Sequence, residues 1–402
     1  MLPFLKNSFD CTACSACMAV CPVQCITMQA DARGFLYPVI DAQKCLHCNK
    51  CQSVCPSVNK PVLPVQDVNN KTVFAAITRK QPVWQQSASG GAFYEICQAW
   101  GKEDPQNTWV FGATFEGLTV IHKGAILGQI SLFHKSKYVQ SEMRQCFRQI
   151  KELLDQGRKV IFSGTPCQVA GLSNFLKTDF SNLLCIDLIC HGVGSPAVFK
   201  RYLAEHEQQV GKKIKTYTFR AKHARWGNFP RYQSQVSYQD NTTKFYVWDD
   251  YNTLFIQQLC LRDSCGSHCR YRHTWRGGDF TIADFNNFIR LFPHIKDARN
   301  HSTIICNTPK AHTLLKDLEQ TMYLYPCSLE TIVQYNPLLA RSTPENPNRE
   351  SFFKDFTDNM SIRDLVKKYV PEHPFSLVSW IKSHIPFGIK HFLFYGYKKL
   401  CK

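Results

Sequence analysis

Two stretches of the chain carry cysteine at one spacing: CTACSACMAVCP, from Cys11 to Pro22, and CLHCNKCQSVCP, from Cys45 to Pro56. Each reads C-x2-C-x2-C-x3-C-P. Three thiolates so spaced wrap a short loop around one iron–sulfur cube, and the fourth reaches the other cube of a two-cluster ferredoxin. The first cube then takes Cys11, Cys14, Cys17 and Cys55, and the second takes Cys45, Cys48, Cys51 and Cys21. Pro22 and Pro56 turn the chain after each crossing ligand. Thiolate suits the role because it is a soft, charged donor. Structural zinc also accepts C-x2-C pairs, but it needs four ligands from two pairs and leaves the third cysteine and the trailing C-P without a use. Cys25 falls outside the pattern and reads as an ordinary buried thiol.

The chain around these loops has 402 residues, 44% of them hydrophobic, enough for a sizeable core and more than one domain. The N-terminus, MLPFLKNSFD, lacks a basic flank followed by an apolar run, so no signal peptide is expected. No apolar stretch reaches the roughly 18 residues of a spanning helix. These features place the protein in the cytoplasm, where its 20 cysteines stay reduced and clustered thiols bind metal rather than pair as disulfides. A formal charge of +17 calls for an acidic partner without choosing among protein, nucleic acid and an anionic membrane face.

The rest of the chain must position something for the cubes to feed. Polar, proline-bearing SVNKPVLPVQDVNNK reads as a linker. Strand and helix patterns then alternate. TVFAAIT (72–78), WVFGATF (109–115), KVIFSG (159–164) and NLLCIDLIC (182–190) read as strands. SASGGAFYEICQAW (87–100) reads as a glycine turn opening a helix, and SEMRQCFRQIKELLDQG (141–157) as an amphipathic helix stopped by Gly157. TPCQVAGLSNFL and SPAVFKRYLAEHEQQ read as helices with proline in the first turn, the second capped by Ser195. Residues 214–248 are strand-rich, with a hairpin turn at YQDNTTK, and DFTIADF and STIICN add strands. The expected fold is α/β with some α+β character and a largely parallel sheet.

Two motifs fall where strands end, the usual place for ligands in such sheets. SGTPCQ sets Thr165 and Cys167 at one strand-to-helix junction, and CHGVGSP sets Cys190 and His191 at the next. CLRDSCGSHCRYR supplies Cys260, Cys265 and Cys269. Each of these thiols alone is as readily a buried, inert one.

Taken in order, the double cysteine motif, SASGG, SKYVQS, FSGTPCQVAGL, DLICHGVGSP, LRDSCGSHC and GGDFTIADF resemble the beta subunits of coenzyme F-420 hydrogenases and dehydrogenases and their bacterial relatives, over roughly residues 10–320. Members of that family pass electrons between iron–sulfur clusters and a small substrate by way of FAD. The resemblance implies four regions. Residues 1–60 form a bacterial ferredoxin-like unit with two [4Fe-4S] clusters, 61–71 a linker, 72–345 an FAD-binding α/β domain, and 346–402 a basic, aromatic extension. It implies a third [4Fe-4S] cluster held by Cys167, Cys190, Cys265 and Cys269. The family spaces the last pair C-x2-C, whereas CGSHC is C-x3-C, so Cys269 takes the fourth place, or His268 does, or the cluster is weakened or absent. Ser87, Ser89, Gly90 and Gly91 would cradle the FAD pyrophosphate, backed by the positive end of the following helix. Lys137, Tyr138, Gln140 and Ser141 would touch the flavin, Thr165 would stand beside it, and Asp279 and Asp284 would lie near the active site. The family has glycine and tryptophan where this chain has Ala283 and Asn286. His191 is the candidate proton donor for flavin reduction.

In the tail PFSLVSWIKSHIPFGIKHFLFYGYKKLCK (374–402), aromatics mix with lysines, a pattern suited to peripheral contact with the inner membrane face. The basic residues gather around no nucleic-acid reading motif. FRAKHARWGNFPR (219–231) serves an anionic cofactor or substrate better than a single strand of nucleic acid. The expected function is an iron–sulfur flavoprotein oxidoreductase exchanging electrons with a ferredoxin-like partner and reducing or oxidising a small molecule. Family association alone points to surface polysaccharide synthesis. The alternative is an electron-transfer subunit with no substrate chemistry of its own.

Overall fold

A computed structural model describes residues 4–59, 71–223, 233–297, 299–342 and 344–371. The linker centre, part of the 219–231 segment and the tail from 372 onward lie outside the described residues, and with them the membrane-contact expectation.

The N-terminal unit is small. Its elements are α1 (Ala16–Val20), β1 (Ile26–Ala30), β2 (Leu36–Ile40) and α2 (Lys50–Ser53), with β1 and β2 paired antiparallel. The body follows with β3 (Thr72–Thr78), α3 (Gln81–Gln86), α4 (Ala92–Gly101), β4 (Thr108–Glu116), β5 (Thr119–Ile126) and α5 (Cys146–Asp155). Next come β6 (Lys159–Gly164), α6 (Pro166–Leu176), β7 (Leu183–Leu188), α7 (Pro196–Val210), β8 (Ile214–Thr218), β9 (Gln233–Tyr238), β10 (Thr243–Val247) and α8 (Asp250–Ile256). Strands β11 (Phe280–Asp284), β12 (Ser302–Cys306) and β13 (Met322–Cys327) complete the sheets.

The main sheet has the order β13-β3-β12-β11-β7-β6-β4-β5. Its four central strands are parallel, and those outside them pair antiparallel. The sheet is therefore mixed rather than largely parallel. One reason is local: β4 returns directly as β5 through a two-residue turn with Gly117 left-handed, with no crossover helix between them. Strands β6 and β7 read as continuous apolar runs because both faces are covered. Val160 and Phe162 face α5 and α6, where Phe147 and Leu172 meet them, while Ile161 and Leu184 face α4. Each such side chain contributes about 1.5–3 kcal/mol by leaving water.

The N-terminal unit shares these cores. Cys14, Ala16 and Val54 pack with Phe147 and Leu172. Phe35 and Tyr37 pack with α7, α8 and Phe352, Phe353 and Phe356 of the helix Arg349–Thr357. Hydrogen bonds tie the join. Arg148 of α5 donates to Ala19 O at 2.7 Å and Cys21 O at 2.6 Å, meeting the unpaired carbonyls at the end of α1. Gln140 accepts from Leu36 N at 3.0 Å. Residues 349–369 are thus two helices built into the core, where an extension was expected from residue 346.

Candidate functional site

The repeated cysteine spacing reappears in the backbone. Ala13 and Ser15 in the first loop, and His47 and Asn49 in the second, all have φ between 51° and 65°. These are matching positions, and none is glycine. A left-handed residue costs roughly 1–2 kcal/mol. Two per loop curl the chain so that its thiols converge. In the first loop the Ala13 N–H donates to Cys11 Sγ at 3.4 Å.

Cys11, Cys14, Cys17 and Cys55 are buried and line one small cavity of about 20 Å³. Burial, then the charges of Cys55 and Cys11, push the Cys14 thiol up to about 12. Burial, then Cys14, Cys11 and Cys55, likewise raise Cys17. Four thiolates crowded this way need cations among them. A second group lies nearer the surface, where Cys48 is exposed and Cys45 and Cys51 are half-buried. Burial and then Cys48 and Cys45 raise Cys51. Cys25 belongs here and is no bystander: its Sγ lies 3.4 Å from Cys21 Sγ, and it also faces Cys45.

A third group forms at the carboxyl ends of the parallel strands. Cys167, Cys190, Cys265 and Cys269 line a cavity of about 40 Å³. Burial first, then Cys190, Cys269 and Cys14, push Cys167 up to about 12. The longer C-x3-C spacing is absorbed by a single 3-10 turn at Gly266–His268, with Gly266 left-handed, which carries Cys269 to the cavity. His268 turns away: it is stacked on Phe9 at 4.5 Å, with Nε2 3.9 Å from Glu345. Among the described residues, no three His, Cys, Asp or Glu side chains converge as they would on one metal ion. A cube spaces its thiolates wider than a single ion does.

The cavities form a row. The first and third share Thr12 and Ala13 as walls. The third shares Thr165, Gln168, Cys190 and Gly192 with a much larger cavity of about 370 Å³. That large cavity is lined by Ser87, Ser89, Gly91, Lys135, Lys137, Tyr138, His191 and Asp284, among others.

Residues 157–331 match the family model for the C-terminal part of the coenzyme F420 hydrogenase/dehydrogenase beta chain. Residues 10–59 match a 4Fe-4S dicluster domain, and residues 37–101 match another. This chain carries the C-terminal region of the coenzyme F420 hydrogenase/dehydrogenase beta subunit family together with 4Fe-4S dicluster domains. It is an iron–sulfur electron-transfer subunit of oxidoreductase type, with a ferredoxin-like N-terminal unit. No curated protein matches it. Among solved structures, it is similar to the F420-reducing [NiFe] hydrogenase complex from Methanosarcina barkeri, studied by xenon derivatization. The identity is 14%, the match covers 74% of this chain and 91% of that one, and the TM-score is 0.43.

Arg220 organises the large cavity. It is buried, and it donates to Asp284 Oδ2 at 2.8 Å, Tyr138 OH at 3.1 Å and Ala88 O at 3.1 Å. One guanidinium thereby joins the SASGG turn, the SKYVQS loop and the end of β11. Lys137 donates to His134 O at 2.8 Å, and burial together with the Lys135 charge brings its ammonium down to about 7. Burial lowers His191 to about 4, and its Nε2 lies 3.3 Å from Phe255 O. Ser141 Oγ meets His122 Nδ1 at 2.7 Å and accepts from Gln168 Nε2 at 3.1 Å. Thr165 Oγ1 lies 3.1 Å from Cys167 Sγ.

Other expected residues have further partners. Gln140 lines the third cysteine cavity and anchors the N-terminal unit. Gly90 is pressed between strands: a Cβ there would sit 2.2 Å from Ala76 O. The Ser87 and Ser89 hydroxyls donate to backbone, to Val83 O and His301 O. Asp279 lies at the opposite end of β11 from Asp284, accepting from Cys185 N and the Thr308 hydroxyl, and so fastens strands together. Asn286, where the family has tryptophan, lines the large cavity and donates to Tyr335 O at 3.0 Å.

Proposed function

We propose that this chain is an iron–sulfur flavoprotein oxidoreductase whose electrons cross three cysteine-held cubes to a flavin in the large cavity. The observation that carries the reading is the unbroken row of cavities. It runs from the buried first set, walled in part by Cys55 of the second loop, past the third set to a chamber walled in part by Cys190 itself, and Cys48 of the second set lies exposed at the surface.

The residues fit the groups. Cys11, Cys14, Cys17 and Cys55 would hold the first cube, Cys21, Cys45, Cys48 and Cys51 the second, and Cys167, Cys190, Cys265 and Cys269 the third. Two Arg262 nitrogens, buried beside the third set with no hydrogen-bond partner, want an anion there. The large cavity falls within the about 300–1,000 Å³ of cofactor pockets. Lys135, Lys137 and Arg220 make it cationic, as an FAD pyrophosphate or an anionic reduced ring requires. When bound, the cubes supply single-electron steps and the flavin joins them to two-electron chemistry. The chain's own part is to exclude water from the first and third sets, to orient the ring against Cys190, and to keep a proton on Lys137 Nζ near neutral pH.

The exposed Cys48 loop carries Lys44 and Lys50, and suits an acidic ferredoxin-like protein as donor or acceptor. Residues 4–59 would act as the ferredoxin-like unit, and the sheet with the helices to residue 371 as the flavin-binding body. Among the described residues, no helix is long and apolar enough to cross a membrane.

Anaerobic purification with iron, acid-labile sulfide and flavin assayed together tests the reading. Three cubes and one flavin per chain are expected, the flavin bleaching when reduced ferredoxin is added. A chain with no flavin whose iron is nonetheless reduced by ferredoxin would be the relay subunit instead.

A further inference from the structure

The third cysteine cavity is walled in part by a buried arginine. Arg262 is 1% exposed. Its Nε donates to Cys11 O at 2.9 Å, in the first cysteine loop. The guanidinium lies over the rings of Tyr37 at 4.2 Å and Phe35 at 5.6 Å. Its Nη1 and Nη2 have no hydrogen-bond partner, and the side chain lines the cavity with Cys167, Cys190, Cys265 and Cys269. The adjacent carboxylate gives no relief, because Asp263 is bound by Arg349 and Arg33.

Arginine does not lose its proton in a protein. A buried cation with two idle donors is costly unless an anion completes it. Four thiolates around a cube carry net negative charge, and that charge grows by one on reduction. We infer that Arg262 is the counter-charge of the third cube, and that it sets how an electron divides between the first and third cubes. This rests on the proposed third ligand set. One end of the guanidinium is spent on a carbonyl of the first loop, while the side chain lines the third cavity and leaves its two terminal nitrogens without a partner. A fixed cation stabilises the reduced state more where its donors point. It therefore draws the electron forward, toward the large cavity.

The test is a potentiometric titration of the anaerobic full-length protein, followed by electron paramagnetic resonance, with iron counted in every sample. Arg262→Gln is expected to keep the native iron content and to lower the third cube's potential. The one-electron partition between the cubes should fall by at least about tenfold, 59 mV for such a couple. Arg262→Lys keeps the charge but not the fork, and should shift the partition the same way by about threefold or more. Full iron with unmoved potentials in Arg262→Gln overturns the inference while leaving the third cube standing. Should that variant fail to hold iron, Arg262→Lys decides: a native partition overturns the inference. Equal iron in native and Cys167→Ser protein removes the third cube, and this role for Arg262 with it.

Discussion

Gly171, inside α6, has no room for a side chain because Cys14 is there: a Cβ built on it would stand 2.7 Å from Cys14 Cβ and 2.8 Å from its Sγ. A helix of the body is thus shaped to a cysteine of the first set. Gly171→Ala gains up to about 1 kcal/mol of helix propensity. It meets an overpacking cost of about 1–3 kcal/mol, and Cys14 sits in a loop with little freedom to yield. The expected result is less iron per chain and a lower melting temperature. Native iron with a raised melting temperature would show that the join is slack.

Cys25 Sγ lies against Cys21 Sγ. A thiol in that place donates to the ligand thiolate and eases its charge, which favours the reduced cube. Cys25→Ala should leave the iron content unchanged and lower the second cube's potential, shifting its redox equilibrium by less than about tenfold. Loss of about four irons instead would mean that Cys25 itself is the ligand.

Lys137 is the lining group poised at about 7, through burial and the Lys135 charge. Flavin reduction by the native protein should therefore change across neutral pH, slowing as the ammonium loses its proton. Lys137→Met should remove that inflection and slow reduction about a hundredfold, the lower range for a lost proton donor. A pH profile with the native inflection would move the role to another group.

His122 is buried between Ser141 and Ser163 O, and burial brings it down to about 4. Its unfolded value is about 6.5. Between these values the unfolded chain binds a proton that the folded one refuses, so stability falls as pH drops from about 6.5 toward 4 and is unaffected above. The loss from this residue is on the order of 3 kcal/mol. His191 and His301, lowered in the same way by burial, act in the same window. His122→Gln should therefore reduce the acid slope in anaerobic urea unfolding, read between pH 6.5 and 5. An unchanged slope would mean that the ring is protonated in the folded state.

The ligand loops were legible because a cube demands cysteines at short, local intervals, and local intervals are what a sequence displays. The same holds for Ser195, which caps α7 by accepting from Val198 N at 3.0 Å, and for β3 and β6, whose apolar runs had unambiguous ends. Strand β5 was hidden because TVIHKGAI alternates too weakly to stand out from a loop. The helix expected over 141–157 starts at Cys146, because its first residues join the sheet edge instead, with Glu142 bridged to Ile121.

By itself the sequence determined the two cysteine loops of a 4Fe-4S dicluster domain and that the net charge is positive, since each is written in residue type and near spacing. Tertiary structure alone decided that Arg262 shares a cavity with Cys167, that Cys25 touches Cys21, that His268 turns outward and that Asp279 fastens strands. Those outcomes depend on contacts between residues far apart in the chain, where burial and competing hydrogen bonds, not local spacing, set the lowest free energy.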